Sequence, residues 1–219
     1  DSEKLAELIH QCQNDILINR LPGYSDLESP EQSIPQKVMK KKDGQNAVWE
    51  GCQVFNGHWG YSRDEQTWKS PHEVVEMLIR HTSRGGNLLL NVGPTARGEI
   101  DRHSCELLAK VGEWMTQHSK SIYGCMAAPE EEFPEPQDCR YTWNGKNKRL
   151  YLHFFSWPDR RIQLLGMTGK IKFARFLHNG CEVKFNSYSN RNTHGITGEE
   201  NNVTLSLPVV RPDVVVPVI

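Results

Sequence analysis

Three residues in the first third of the chain have side chains that suit chemistry on a sugar, namely Arg20, Glu31 and Trp59. An indole face can pack on the C–H face of a pyranose, a guanidinium can hold hydroxyl groups, and a carboxyl group can protonate a leaving oxygen. Each residue also has an ordinary structural explanation, as an ion-pair partner, a solvated loop carboxylate or a core side chain. From residue types and positions alone, glycoside chemistry is therefore a hypothesis.

The elements that would position these residues are predicted from apolar patterns. The runs Asp15–Leu21, Val48–Phe55 and Asn87–Val92 are predicted strands, and the last is unbroken, as in a strand buried on both faces. An acidic segment, Asp26–Gln32, follows the first strand and is predicted to be a loop. Alternating strands and helices indicate an α/β architecture, in which chemistry collects at the carboxyl ends of strands. Helices are predicted behind caps at Ser2, Ser70 (a capping box with Glu73) and Asp101.

The composition changes after residue 126. Segment 127–137 is rich in Pro and Glu and is predicted to be a linker. Residues 138–219 alternate short apolar runs with turn signals, including Asn144-Gly145 and Asn179-Gly180, so they are predicted to form a small antiparallel β-sandwich. The predicted strands are Cys139–Trp143, Arg149–Phe155, Arg161–Leu165, Lys170–Leu177, Cys181–Phe185, Val203–Leu207 and Val214–Ile219.

Charge and hydropathy exclude two classes of partner. The 219 residues include 26 Lys and Arg against 27 Asp and Glu, which gives a formal net charge of −1. A balance this close to zero argues against nucleic-acid binding by phosphate neutralisation. The longest apolar runs are too short to span a bilayer. We therefore predict neither a nucleic-acid nor a membrane partner.

The cysteines and histidines do not form a recognisable metal motif. The six cysteines are scattered without a C-x-x-C pair, so buried free thiols are predicted, although their even number leaves disulfides open. His153, His178 and Cys181 could in principle bind a metal, but such spacing is more often coincidence. We predict no metal and no cofactor. The sequon Asn202-Val203-Thr204 would matter only in a eukaryotic secretory pathway.

Three blocks of sequence carry a resemblance to a known family. Trp49–Glu65, Ser83–Ile100 and Val111–Gly124 resemble, in order and spacing, the α-L-fucosidases of glycoside hydrolase family 29. The segment Tyr24–Gln32 is similar to an aromatic and acidic loop of that family, and His153–Pro158 is a weaker echo. The most specific part is the string Gly-Gly-Asn-Leu-Leu-Leu-Asn-Val-Gly-Pro within the second block.

The resemblance implies a retaining exo-glycosidase that releases terminal α-L-fucose from a fucosylated glycan or glycoside. Carried over by position, Glu31 is the general acid/base, Arg20 binds the sugar, and Trp59 packs on its apolar face and methyl group. Asn91 is expected to brace a strand end. If Glu31 is not the acid, Asp26 and Glu28 are the next candidates. The implied fold is the C-terminal part of a (β/α)8-like TIM barrel (residues 1–126) followed by the sandwich.

Two hallmarks of the family are missing from this chain. They are a nucleophilic Asp in a Trp-x-Asp strand end and an early His-His pair; Trp157-Pro158-Asp159 lies in the predicted sandwich and is interpreted as a coincidence. A complete barrel needs about 250 residues, whereas residues 1–124 supply three predicted strands. We therefore expect no nucleophile in this chain, an N-terminal part of the same enzyme as partner, and no activity without it.

One alternative function stays open at this stage, a non-catalytic carbohydrate-binding or structural β-sandwich module. The residues do not decide the compartment, for which a secreted, periplasmic or lysosomal location is expected over a cytoplasmic one.

Overall fold

The computed structural model describes residues 1–188 and 201–219, so part of the predicted domain 138–219 lies outside the described residues. The α-helices are α1 (Ser2–Cys12), α2 (Pro71–Ser83) and α3 (Arg102–His118). The strands are β1 (Glu50–Val54), β2 (Asn87–Asn91), β3 (Met126–Ala127), β4 (Cys139–Asn144), β5 (Arg149–Phe154), β6 (Arg161–Leu164), β7 (Phe185–Tyr188) and β8 (Asn202–Ser206).

Helices α2 and α3 begin at the side-chain caps that the sequence predicts. The Ser70 hydroxyl accepts from the Glu73 amide, and the Glu73 carboxylate accepts from the Ser70 amide, a contact that lowers the pKa of Glu73. Asp101 accepts from the Ser104 amide at the start of α3. The cap of α1 is Asp1, so the prediction of a Ser2 cap is wrong by one position.

The first half of the chain is built on parallel pairing. Strands β1 and β2 are parallel neighbours, with Glu50 opposite Asn87 and Val54 opposite Asn91. Helix α2 connects them and is followed, after its C-cap Arg84, by Gly85, whose φ of +77° suits a residue without a Cβ. Gly86 follows, and a Cβ there would lie 2.1 Å from the Trp49 ring, so only glycine fits beneath this buried indole.

One sequence prediction near the start of the sheet is wrong. Asp15–Leu21 forms only a single parallel bridge, Asn19 with Leu27, because the Ile18 amide donates to the Asp26 carboxylate at 2.7 Å instead of continuing a ladder. The acidic segment Asp26–Gln32 is a loop without a strand, as predicted, and it is bridged in parallel through Glu28 to Trp49 and through Glu31 to Cys52 of β1. These bridges hold the loop beside β1.

Over its described residues, the second half forms two antiparallel three-stranded sheets, in the orders β3-β4-β5 and β6-β8-β7. Lys170–Leu177 and Val214–Ile219 are not strands, contrary to the prediction. The first makes only the bridge from Arg175 to Glu182. The second exchanges hydrogen bonds with Leu152 through Ile219, but Pro217 has no N–H with which to extend the ladder. The run Cys181–Phe185 becomes a strand only from Phe185.

A helix–sheet joint packs α2 and α3 against β5 and the C-terminal segment. We define the joint by its buried residues Val75, Ile79, Trp114, Ile122, Tyr151, Val216 and Val218. The Trp114 indole N–H donates to the Val216 carbonyl at 2.9 Å, which ties α3 to the end of the chain. A separate cluster between the two antiparallel sheets includes Tyr141, Phe154 and Leu205. The joint holds the two halves of the chain together.

Candidate active site

The predicted site residues lie on neighbouring parallel segments or in the chain that follows them. Arg20 directly follows the bridged residue Asn19, and Glu31 is paired with Cys52 of β1. Trp59 follows β1, and Asn91 ends β2. Neighbouring strands are about 4.8 Å apart, so the Glu31 segment and β2 are separated by roughly 10 Å across β1. The structure therefore brings Arg20 and Glu31 together, and it joins Trp59 to Asn91 on the other side of β1.

Arg20 and Glu31 are in direct contact. The Arg20 Nη2 lies 2.5 Å from the Glu31 Oε1 and also donates to the Ser29 carbonyl at 3.3 Å. The two side chains are 58% and 51% exposed. Arg20 and Gln32 have φ angles of +56° and +48°, a strained region for residues with a Cβ. The backbone thus takes a left-handed conformation at Arg20 and again in the residue after Glu31. The Arg20–Glu31 pair stays open to solvent.

The two alternative candidates for the acid, Asp26 and Glu28, differ in their contacts. Asp26 accepts from the Ile18 amide at 2.7 Å, so one of its oxygens already serves the backbone. Glu28 lines an open cavity of about 330 Å³, together with Asn19 and Arg20. The cavity adjoins the Arg20–Glu31 pair and contains mostly polar groups.

Trp59 is exposed on a turn that contacts the end of β2 and the residues after it. Its side chain is 41% exposed. The Asn91 amide donates to the Trp59 carbonyl at 2.5 Å, so Asn91 braces the turn as well as the strand end. A Cβ at Gly93 would lie 2.4 Å from the Gly60 carbonyl carbon, so the backbone of β2's extension touches the turn directly.

Sequence reasoning missed two residues beside Trp59. His58 is mostly exposed, and its Nε2 lies 3.5 Å from the Glu65 Oε2, whose side chain is only 4% exposed. No periodic pattern marks Glu65, because its burial comes from the closure of the loop rather than from a strand or helix face. A largely covered carboxylate thus lies in the same loop as Trp59, in contact with the residue before it.

Among residues 1–188 and 201–219, no group of three or more His, Cys, Asp or Glu side chains could hold a metal ion. His153 is buried in β5, where its Nε2 lies 2.9 Å from the Thr142 hydroxyl. Over the same ranges, none of the helices combines the length and apolar character needed to cross a bilayer. Asn202 of the sequon is buried in β8, so the folded chain does not present it to a glycosylating enzyme.

The prediction of buried thiols is wrong for most of the cysteines. Only Cys139 is buried, and burial raises the pKa of its thiol to about 12. Cys52 and Cys125 are half-buried. The exposed cysteines are Cys12, Cys105 and Cys181.

The exposed arginine, carboxylate and indole beside these parallel segments are side chains of the kinds that bind carbohydrates. The family model for alpha-L-fucosidase matches residues 2–120, the part of the chain that contains all three. The chain therefore belongs to the α-L-fucosidase family, and its resemblance to the family 29 glycoside hydrolases is confirmed.

Solved structures and curated proteins agree with this assignment. The fold resembles α-L-fucosidase isoenzyme 1 from Paenibacillus thiaminolyticus, with 34% identity, a TM-score of 0.86, and coverage of 100% of this chain and 52% of that one. An α-L-fucosidase from Bacteroides thetaiotaomicron shares the fold at 24% identity, with a TM-score of 0.79 and coverage of 99% and 51%. The human plasma enzyme is 29% identical over 187 residues, 84% of this chain and 36% of that protein. This chain thus spans about a third of the length of the curated relatives.

Proposed function

We propose that this chain carries the acid/base side of a retaining exo-α-L-fucosidase site. In this proposal Glu31 is the general acid/base, Arg20 binds sugar hydroxyl groups, and Trp59 packs on the apolar face and methyl group of fucose. The observation that carries it is the Arg20–Glu31 contact at 2.5 Å on an exposed sheet edge, within the segment that matches the fucosidase family.

The open pair suits both steps of a retaining mechanism. In the first step Glu31 would protonate the leaving oxygen, and in the second its carboxylate would take a proton from water. A carboxylate held by a guanidinium corresponds to the second stage. Sugar hydroxyls arriving at Arg20 would compete for the guanidinium, so the Arg20–Glu31 contact would be exchanged for contacts with the substrate. Since both side chains are more than half exposed, this exchange requires no unfolding.

The nucleophile is proposed to lie outside this chain. The Bacteroides thetaiotaomicron relative was solved as a trapped covalent intermediate with 2-fluoro-fucosyl fluoride, and a covalent intermediate requires a nucleophile. The Trp-x-Asp string of this chain ends at Asp159, an exposed residue between β5 and β6 whose nearest cation is its neighbour Arg160. That position, in the second half of the chain, supports the interpretation of this string as a coincidence.

We further propose that residues 1–126 form the last part of a (β/α)8-like barrel, with residues 138–219 as a β-sandwich. Strand β2 has β1 as its neighbour within the described sheet, and Leu89 in its centre is 48% exposed. Leu5, Leu8 and Leu17 are also exposed. Apolar side chains and a free strand edge favour pairing with further chain. The N-terminal part of the same enzyme is the proposed occupant of this surface.

Reconstitution tests the proposal. The 25.1 kDa chain and a polypeptide with the family's N-terminal half are purified apart and mixed, and hydrolysis of an aryl α-L-fucoside is followed. We expect turnover only in the mixture. The first product should be α-L-fucose, and β-L-fucose should appear later through mutarotation. A stable, monodisperse 25.1 kDa monomer that binds no such partner contradicts the proposal.

The alternative, a non-catalytic β-sandwich module, gains no support from the family match. The matched residues 2–120 contain Arg20, Glu31 and Trp59 and stop before the antiparallel sheets begin at Met126.

A further inference from the structure

Residues 55–69, which we name the Trp59 loop, connect β1 to the start of α2. The Lys69 amide donates to the Phe55 carbonyl at 2.8 Å and closes the neck of the loop. Trp59 lies near its tip, and its carbonyl accepts from Asn91 at 2.5 Å. The loop is thus anchored to β2 on one side.

On its inner side the loop closes over the carboxylate of Glu65. The Glu65 Oε1 accepts from the Thr67 amide at 2.6 Å and from the Thr67 hydroxyl at 2.5 Å. These bonds lower the pKa of Glu65 and keep the group ionised, although only 4% of the side chain is exposed. A charge covered to this extent needs partners that stay in place.

The remaining oxygen of Glu65 faces the residues immediately before Trp59. Its Oε2 lies 3.5 Å from the His58 Nε2. A Cβ at Gly57 would lie 3.4 Å from the Thr67 hydroxyl and 3.9 Å from the Glu65 Oε2. The turn that carries Trp59 therefore rests on Glu65 and Thr67 from within, while Asn91 holds it from the strand.

We propose that Glu65 is a positioning residue for substrate discrimination, which fixes through His58 and Thr67 the turn that presents Trp59 to the methyl group of the sugar. The inference rests on the proposed function, in which Trp59 packs on fucose. L-Galactose differs from L-fucose by one hydroxyl group on that methyl carbon. An indole held against the methyl group disfavours the added hydroxyl, and a contact of this kind gives discrimination of about 10- to 100-fold.

The test compares two substrates on the complete enzyme that contains this chain. Values of kcat/KM are measured for an aryl α-L-fucoside and the matching aryl α-L-galactoside with the wild type, Glu65→Ala, Glu65→Gln and Trp59→Ala. The matched control is Glu76→Ala, since Glu76 also faces a histidine (His72) and an arginine (Arg80) but lies on α2. Glu65→Ala is expected to lower the fucoside preference about tenfold, mainly through KM, in the same direction as Trp59→Ala.

Each result separates the two claims. An equal loss on both substrates in Glu65→Ala means that Glu65 supports only the fold, and it overturns the inference. If Glu65→Ala does not fold, Glu65→Gln decides, since it keeps the size of the side chain and removes the charge facing His58; an unchanged preference then overturns the inference. A wild-type enzyme that hydrolyses neither substrate instead refutes the proposed function. Glu76→Ala is expected to leave the preference unchanged.

Discussion

Two arginine–glutamate pairs of this molecule differ in their exposure to solvent. Arg20 and Glu31, at the open sheet edge, are 2.5 Å apart and more than half exposed. Arg84 and Glu135 lie beside the helix–sheet joint, with N–O distances of 3.1 and 3.4 Å and side chains only 11% and 18% exposed. The shorter contact belongs to the more exposed pair, so distance alone does not rank what the two pairs contribute.

The number of partners distinguishes the two glutamates. Glu135 also accepts from the Tyr141 amide at 3.1 Å and lies 3.6 Å from the Arg140 Nε, while Arg84 donates from Nε to the Gln36 carbonyl. A carboxylate shared in this way holds the Pro- and Glu-rich segment, the end of α2 and β4 in one arrangement. Glu31 has one cationic partner and can exchange it for a substrate, which is what an acid/base requires.

The largest expected effect is on stability. Glu135→Ala would leave Arg84 and Arg140 largely buried without their counter-charge, so we expect it to lower the free energy of unfolding by about 3–5 kcal/mol. Glu31→Ala removes an exposed pair and should cost less than about 1 kcal/mol. Urea unfolding followed by tryptophan fluorescence measures both. Losses of equal size would show that burial does not separate the two pairs.

A smaller effect is expected from acid, through histidines buried near the joint. Burial lowers the pKa of His153 to about 3 and that of His118 to about 4, so both are neutral in the folded chain. The unfolded chain binds protons at these residues below about pH 6.5. Stability should therefore be highest above pH 6.5 and fall by about 2 kcal/mol, summed over the two histidines, between pH 6.5 and 5.5.

The acid effect is measured by urea unfolding at several pH values, together with an NMR titration of the imidazole Cε1–H signals. If His153 titrates near pH 6.5 while the chain is folded, its burial is not what the structure shows. A free energy of unfolding that does not change between pH 7 and 4.5 would equally contradict the account.

Local patterns predicted the parts of the fold that local interactions determine. The capping box at Ser70 and Glu73, the cap at Asp101 and the strand position of β2 are each specified within a few residues. The expected burial of β2 on both faces is wrong for this chain, since Leu89 is 48% exposed. Asp15–Leu21 was mispredicted because an apolar run shows a preference for burial, whereas a strand also needs a continuous partner. The bridges between Asp26–Gln32 and the chain around β1 likewise depend on tertiary contacts, which a local pattern does not show.

The same distinction applies to the site. Residue types and the family resemblance pointed to Arg20, Glu31 and Trp59; the structure brings Arg20 and Glu31 into contact and exposes Trp59 in the loop after β1. Glu65 could not be predicted, because its burial depends on the closure of the loop between Phe55 and Lys69. Glu135 stands in a segment whose composition suggests a solvated linker, yet partners from α2 and β4 surround it.

The role of Glu31 can be tested most directly by comparing leaving groups. The complete enzyme and its Glu31→Ala variant are assayed with an activated aryl α-L-fucoside, which needs little protonation, and with a natural fucosyl linkage, which needs full protonation. General-acid catalysis is typically worth about 10²- to 10⁴-fold, so we predict a loss of that order on the natural linkage and a much smaller loss in the bond-cleaving step of the activated one. Full-rate hydrolysis of both substrates by Glu31→Ala would contradict the assignment of Glu31 as the acid/base.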